Sequence, residues 1–194
     1  AQVIELKRAP TLDSIISKRI AFLTEYQDAS YAQTYSEFIE SIKSAESKIV
    51  DGKPLRLTEA AAKYLFKLMA YKDEYEVARL YTDGKFQKKI ADMFEGDYSI
   101  NFHLAPPLLA KRDNNGQLIK QQFGPWMMKA FGLMAKMKSL RGGMFDIFGY
   151  TEERKMERAL PIEYKQLLTQ LLPLLNADNL TQLVAIASIP EDIR

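Results

Sequence analysis

The 194-residue chain contains no cysteine. That excludes a disulfide framework, a thiolate-held zinc and a cysteine-ligated iron–sulfur cluster built from these residues. Histidine is almost as scarce. His103 stands alone, so a site with several imidazole ligands is excluded too. A Ser-His-Asp triad would have to use His103, and no G-x-S-x-G elbow is present. Neither G-x-G-x-x-G nor G-x-x-x-x-G-K-S/T occurs, which removes the common phosphate-cradling loops. Gly142-Gly143 after Arg141 reads more simply as a helix stop than as a phosphate cradle. No apolar run approaches the roughly 20 residues of a membrane span. The segment Ala1–Arg8 has no apolar core of the secretory type. The expectation is a cytoplasmic protein that engages no membrane.

Apolar residues make up 47% of the chain and charged residues 27%. A chain of this length buries roughly 70% of its unfolded surface and needs no covalent or metal staple. The net charge of +2 argues against a dedicated nucleic-acid binder. The charge is uneven, however. Residues 98–150 hold seven cations and two carboxylates, between flanks that are close to neutral. Lys111, Arg112, Lys120, Lys129, Lys136, Lys138 and Arg141 either lie on solvated loops and helix faces or face an acidic partner, another domain or a phosphate. Solvation is the simpler reading, because anion binding needs donors that converge.

Helical punctuation dominates. Thr11 caps a stripe of Leu12, Ile15, Ile16, Ile20 and Leu23 at i, i+3, i+4 spacing. A second helix follows Asp28 and ends before Asp51-Gly52 and Pro54. Thr58 is expected to cap a helix from Glu59 to about Ala70, and Asp73 can cap another that breaks at Asp83-Gly84. A short helix through Phe86, Ile90 and Phe94 comes next. Residues 98–104 alternate in period two, as a half-buried strand does. Asn114-Asn115-Gly116 suits a hairpin turn, with a return arm over 117–123, and Pro106-Pro107 keeps the first arm irregular. Pro125 is placed at the first position of a helix ending at Gly142-Gly143. An aromatic loop, Met144 to Tyr150, precedes a long helix opening at Thr151, in which Pro161 should produce a kink or a split. Asp178 is a candidate cap for a last helix over about 179–188. The fold class is mainly α: a bundle of about seven to eight helices with one irregular β-hairpin around residues 98–123. The expected organisation is an N-terminal helical hairpin, 1–57, and a helical domain with the β-hairpin, 58–194, together one compact domain of a larger chain.

Two constellations carry the functional question. In Tyr71–Tyr81, Glu76 can pair with Arg79, and Lys72 with Glu76. This is either a salt-laced helix with half-buried tyrosines or an interface anchored by Tyr and Arg. Met127, Met128, Met134, Met137 and Met144, beside Trp126 and Phe131, make either helical core or an adaptable surface. The candidate interface is Tyr71, Lys72, Tyr75, Arg79, Tyr81, Lys111, Arg112, Trp126 and Arg141. No catalytic, cofactor-binding or metal-ligating residue stands out. His103, between Phe102 and Leu104, reads as structural rather than catalytic.

Segments Tyr64–Tyr81, Phe102–Ala110, Phe123–Met127 and Phe145–Arg154, read together, resemble the C-terminal region of bacterial single-chain indolepyruvate:ferredoxin oxidoreductases, of the 2-oxoacid:acceptor oxidoreductase family. The resemblance spans 58–194; over 1–57 only helical character and position fit. It implies a parent enzyme that decarboxylates an aryl 2-oxoacid on magnesium–thiamine diphosphate. Electrons would pass through [4Fe–4S] clusters to ferredoxin, and the acyl group to CoA. Those cofactors would lie in N-terminal domains, leaving none for this fragment, which is expected to be inactive alone. The implied role is packing against other domains of the same polypeptide or across a homodimer. A free-standing interaction module without enzymatic function is the alternative, and a small hydrolase or transferase using His103 is a third reading. The resemblance supplies no catalytic residue for these positions.

Overall fold

The computed structural model describes residues 9–52, 54–105 and 119–193. The chain is mainly α, with eight α-helices and one two-stranded antiparallel hairpin among the described residues. No described helix is long and apolar enough to cross a membrane. The chain divides into two compact units, one made of residues 1–71 and 155–194, the other of residues 72–154. The boundary at 57/58 read from the sequence falls inside the first of them.

The first unit contains α1 (Leu12–Tyr26), α2 (Ala29–Glu46) and α3 (Arg56–Met69). It also holds all but the first three residues of the helix Glu152–Leu171, and a final helix, Leu180–Ala187. Thr11 Oγ1 accepts from Ser14 N at 3.2 Å and Asp28 Oδ1 from Tyr31 N at 2.8 Å, so both expected caps form. The apolar stripes meet in a core of Leu23, Tyr35, Ile39, Ile42, Leu65 and Leu168. Helix α3 departs from expectation. It begins at Arg56, which places Thr58 inside the first turn rather than at the cap. The capping group comes from α2: buried Glu46 accepts from Leu57 N (2.9 Å), Thr58 N (2.8 Å) and Thr58 Oγ1 (2.7 Å). A carboxylate there satisfies orphan amides and faces the positive end of the helix dipole. The helix Glu152–Leu171 runs through Pro161 without a break, so the expected split is absent. Pro161 is itself buried, and Tyr164 and Leu168 just beyond it join the core. Their burial outweighs the roughly 3 kcal/mol that an interior proline costs. The last helix is preceded by Asn179, and Asp178 makes no cap. Asn176 Oδ1 accepts from the Asp178 and Asn179 amides at 3.0 and 3.1 Å instead.

In the second unit, α4 (Glu74–Thr82) and α5 (Lys85–Met93) are followed by β1 (Phe102–Leu104), β2 (Gln121–Phe123) and α6 (Met127–Lys136). With α1 to α3, α7 (Glu152–Leu171) and α8 (Leu180–Ala187) of the first unit, these make the eight helices of the described residues. Gly84 sits at φ +82°, a left-handed conformation that turns α4 into α5 at no Cβ cost. Phe102 pairs with Phe123, His103 with Gln122 and Leu104 with Gln121. The ladder is shorter than the alternation over 98–104 predicts. The turn Asn114-Asn115-Gly116 and the prolines Pro106-Pro107 lie outside the described residues. Pro125 precedes α6 instead of opening it, because Met127 N and Met128 N bond three residues back, to Gly124 O and Pro125 O at 3.1 Å. Ala78, Phe102, Met127 and Phe131 form the core. Tyr81 stacks on Phe131 (centroids 5.0 Å apart) and meets Phe102 (5.2 Å) and Phe86 (4.9 Å) edge-on.

Candidate functional site

The site lies in residues 72–154. Asp73 caps α4 through Glu76 N at 2.8 Å, and its carboxylate also receives the fork of Arg141, both side chains being buried. Arg141 lies over the ring of Tyr75, 5.6 Å from its centroid. The Tyr75 hydroxyl donates to Asp146 Oδ1 at 3.1 Å. Burial pushes that hydroxyl far above the ordinary tyrosine range, and the adjacent Asp146 carboxylate adds to the shift.

Asp146 is the organiser of the aromatic loop. Its Oδ2 accepts from Gly142 N at 2.7 Å, and its Oδ1 from Phe148 N at 3.2 Å and Gly149 N at 3.0 Å. Gly142 supplies a φ of +74° where the chain folds back. One buried carboxylate thus pins the backbone from 142 to 149 and directs the apolar side chains outward. Met144 is 82% exposed and Phe145 72%, and Ile147 and Tyr150 are exposed as well. Tyr150 closes the loop by donating to Met144 O at 2.6 Å.

Beside this loop a cavity of about 510 Å³ opens between Leu104, Trp126, Met127, Phe131, Met134 and Phe148. Lys72, Asp73, Glu74 and Arg154 also line it. Glu74 Oε1 accepts from Arg154 Nη2 at 3.3 Å, while Glu74 Oε2 is buried with no hydrogen-bond partner. Trp126, the sole tryptophan, is 59% exposed and leans edge-on against Phe123 at 6.0 Å.

The structure sorts the residues singled out from the sequence. Glu76 and Arg79 form the expected i, i+3 pair, two-pronged at 2.7 and 2.8 Å, but Lys72 is exposed and does not bond Glu76. Tyr75 and Arg141 are interior, so they hold the unit together instead of presenting themselves to a partner. Arg141 is therefore not on a solvated face. Tyr81 is half-buried in the aromatic core, and Trp126 faces outward. Tyr71 belongs to the other unit, where its carbonyl accepts from Tyr26 Oη at 2.9 Å. Lys111 and Arg112 lie outside the described residues. The methionines divide: Met127, Met128 and Met134 join the core, whereas Met144 is on the surface. His103 is exposed on β1 and does not line the cavity. Sequence reasoning missed Asp146 and Glu74. The D-x-x-G spacing of Asp146 to Gly149 was the available signal, since Asp readily accepts from amides two and three residues on.

No curated protein and no solved structure matches the chain. A family model does match, over residues 12–194, and it describes a family of unknown function, DUF6537. That match takes in the whole site and all but the first eleven residues, and the chain belongs to the DUF6537 family.

Proposed function

We propose that the chain is a non-catalytic accessory domain of a larger 2-oxoacid:ferredoxin oxidoreductase, one that acts on an aryl substrate such as indolepyruvate. Its role is to dock onto other domains of the same polypeptide or across a homodimer, in the cytoplasm. The observation that carries this reading is the pinned loop. Monomers scatter single exposed apolar residues, but four large ones within seven residues, held by a buried carboxylate, mark an interaction surface. The preorganised backbone reduces the entropy lost on docking. Sequence resemblance over 58–194 supplies the identity of the parent enzyme.

The chain lacks thiolates for a [4Fe–4S] cluster, and no three His, Asp or Glu side chains converge as a metal site among the described residues. Thiamine diphosphate, magnesium, clusters and the CoA site belong, on this reading, to other domains, as does the contact with ferredoxin.

The test is co-purification of this chain with separately expressed catalytic domains of the same reading frame. Phe145→Ser with Ile147→Ser should abolish capture while leaving the melting temperature of the chain unchanged. Undiminished capture, or a reading frame that encodes no such domains, overturns the proposal. The second of these results would favour a free-standing interaction module using the same loop.

A further inference from the structure

Helix α5 carries a second exposed apolar surface in the 72–154 unit. Phe86, Ile90, Met93 and Phe94 recur at the spacing of one helical face, yet no residue of the helix is fully buried. Phe86 meets Tyr81 edge-on and holds the helix to its unit. Met93 stays 62% exposed and Phe94 53%, and the patch continues to the exposed ring of Tyr98, 6.2 Å from that of Phe94.

The charges of α5 are ordered along its length. Lys85, Lys88 and Lys89 stand in its first half, Asp92 stands in its last turn, and Glu95 and Asp97 follow at once. All six are exposed. Lys85 has a 3.6 Å contact with Asp83, and among the described residues the other five form no ion pair. This order opposes the helix dipole, which favours anions at the N-terminus and cations at the C-terminus. The helix alone gains nothing from it.

A second copy of the helix does gain from it, because the order is self-complementary. Lys85, Lys89 and Asp92 lie at i, i+4 and i+7, on one stripe beside Met93. When two such helices lie antiparallel across a two-fold axis near residues 90 and 91, Lys89 of each copy faces Asp92 of the other. Lys85 of each then faces the segment Glu95–Asp97 of the other. Each N-terminus receives carboxylates and each C-terminus receives ammonium groups, which reverses the mismatch with the dipole.

We propose that α5 is a self-association surface that joins two copies of this chain, antiparallel about a two-fold axis, through Met93, Phe94 and the reciprocal Lys89–Asp92 pairs. The face is smaller than the roughly 800 Å² per partner of a standard interface, so the dissociation constant falls in the micromolar range. The surface shares no residue with the Met144–Tyr150 loop, and the proposal does not rest on the identity of a parent enzyme.

Sedimentation equilibrium of the intact chain tests it. A monomer–dimer equilibrium is expected, and it should weaken as salt screens the exposed pairs. Lys89→Asp and Asp92→Lys each turn two attractions into two repulsions and should weaken association about tenfold or more. An equimolar mixture of the two variants should associate as the unsubstituted chain does, since each then faces the opposite charge. Phe145→Ser with Ile147→Ser should leave the dimer intact, so the readings of the helix and of the loop fail separately. Hydrogen exchange locates the surface without any substitution: protection of amides 85–94 should rise with protein concentration, and that of amides 142–150 should not. A chain that stays monomeric at about 1 mM overturns the proposal. So does a pair of folded variants that fail to associate when mixed, or concentration-dependent protection that misses α5. Where a variant does not fold, the exchange experiment decides.

Discussion

Arg141 and Asp73 meet through two parallel contacts, Nε to Oδ2 at 2.5 Å and Nη2 to Oδ1 at 2.8 Å, with neither side chain open to solvent. The same carboxylate caps α4, so the start of a helix and a turn nearly 70 residues later share one anion. Removing the guanidinium leaves Asp73 charged and buried. We predict that Arg141→Ala destabilises the 72–154 unit by about 3–5 kcal/mol. Urea unfolding followed through Trp126 measures it, and a loss below about 1 kcal/mol would show that the pair is not a structural tie. Any weakened docking by this variant would then be a consequence of unfolding.

The cap supplied by Glu46 gives a second prediction. Glu46→Ala strands two amides and a hydroxyl that are buried at the start of α3. A loss of about 2–4 kcal/mol is expected, because charge-assisted bonds are lost and their donors go unpaired. Glu46→Gln should recover part of it, since the amide oxygen still accepts. Hydrogen exchange at Leu57 and Thr58 locates the effect: these amides should lose protection in both variants, more in the alanine form.

Alkaline pH offers a third test. Burial raises the hydroxyl pKa of Tyr164 and Tyr35, and burial together with Asp146 raises that of Tyr75. In the unfolded chain these groups release protons near pH 10, whereas the folded protein retains them. The unfolded state then binds fewer protons, so stability is full below about pH 10 and falls as pH rises beyond it. Thermal melts between pH 8 and 11 should show this decline. Tyr164→Phe, although it loses the 2.7 Å bond to Ala187 O, should show a shallower slope. An unchanged slope would mean that Tyr164 titrates as an exposed phenol.

The loop gives a fourth. Asp146→Ala removes the acceptor for Gly142, Phe148 and Gly149 amides and for Tyr75 Oη. Exchange at 142–149 should accelerate, and affinity for the catalytic domains should fall even though Met144, Phe145, Ile147 and Tyr150 remain. Retained affinity with a disordered loop would place the docking surface elsewhere.

Helix positions were legible because their signals are local: Thr11, Asp28 and Asp73 cap helices whose apolar stripes follow at once. The start of α3 was misplaced because its capping group comes from another helix, ten residues upstream of Arg56, where no local pattern reveals it. That the helix runs on through Pro161 without splitting was hidden for a related reason, since the packing around it involves residues distant in sequence, such as Ala187, which accepts from Tyr164 Oη. In the site, the Glu76–Arg79 pair was readable from its spacing. The burial of Tyr75 and Arg141 was not, because it depends on Asp73 and Asp146 meeting them through tertiary contacts.

The first unit takes strands of sequence from both sides of the second, and this orders events during synthesis. Residues 72–154 form a contiguous stretch and can close their core as soon as they leave the ribosome. Helices α1 to α3 emerge earlier yet wait longer, because Leu168, Leu183 and Ala187, which complete their core, are translated last. Of these two units, the one whose helices begin to emerge first is the one that finishes folding last, with its apolar faces in need of protection in the interval.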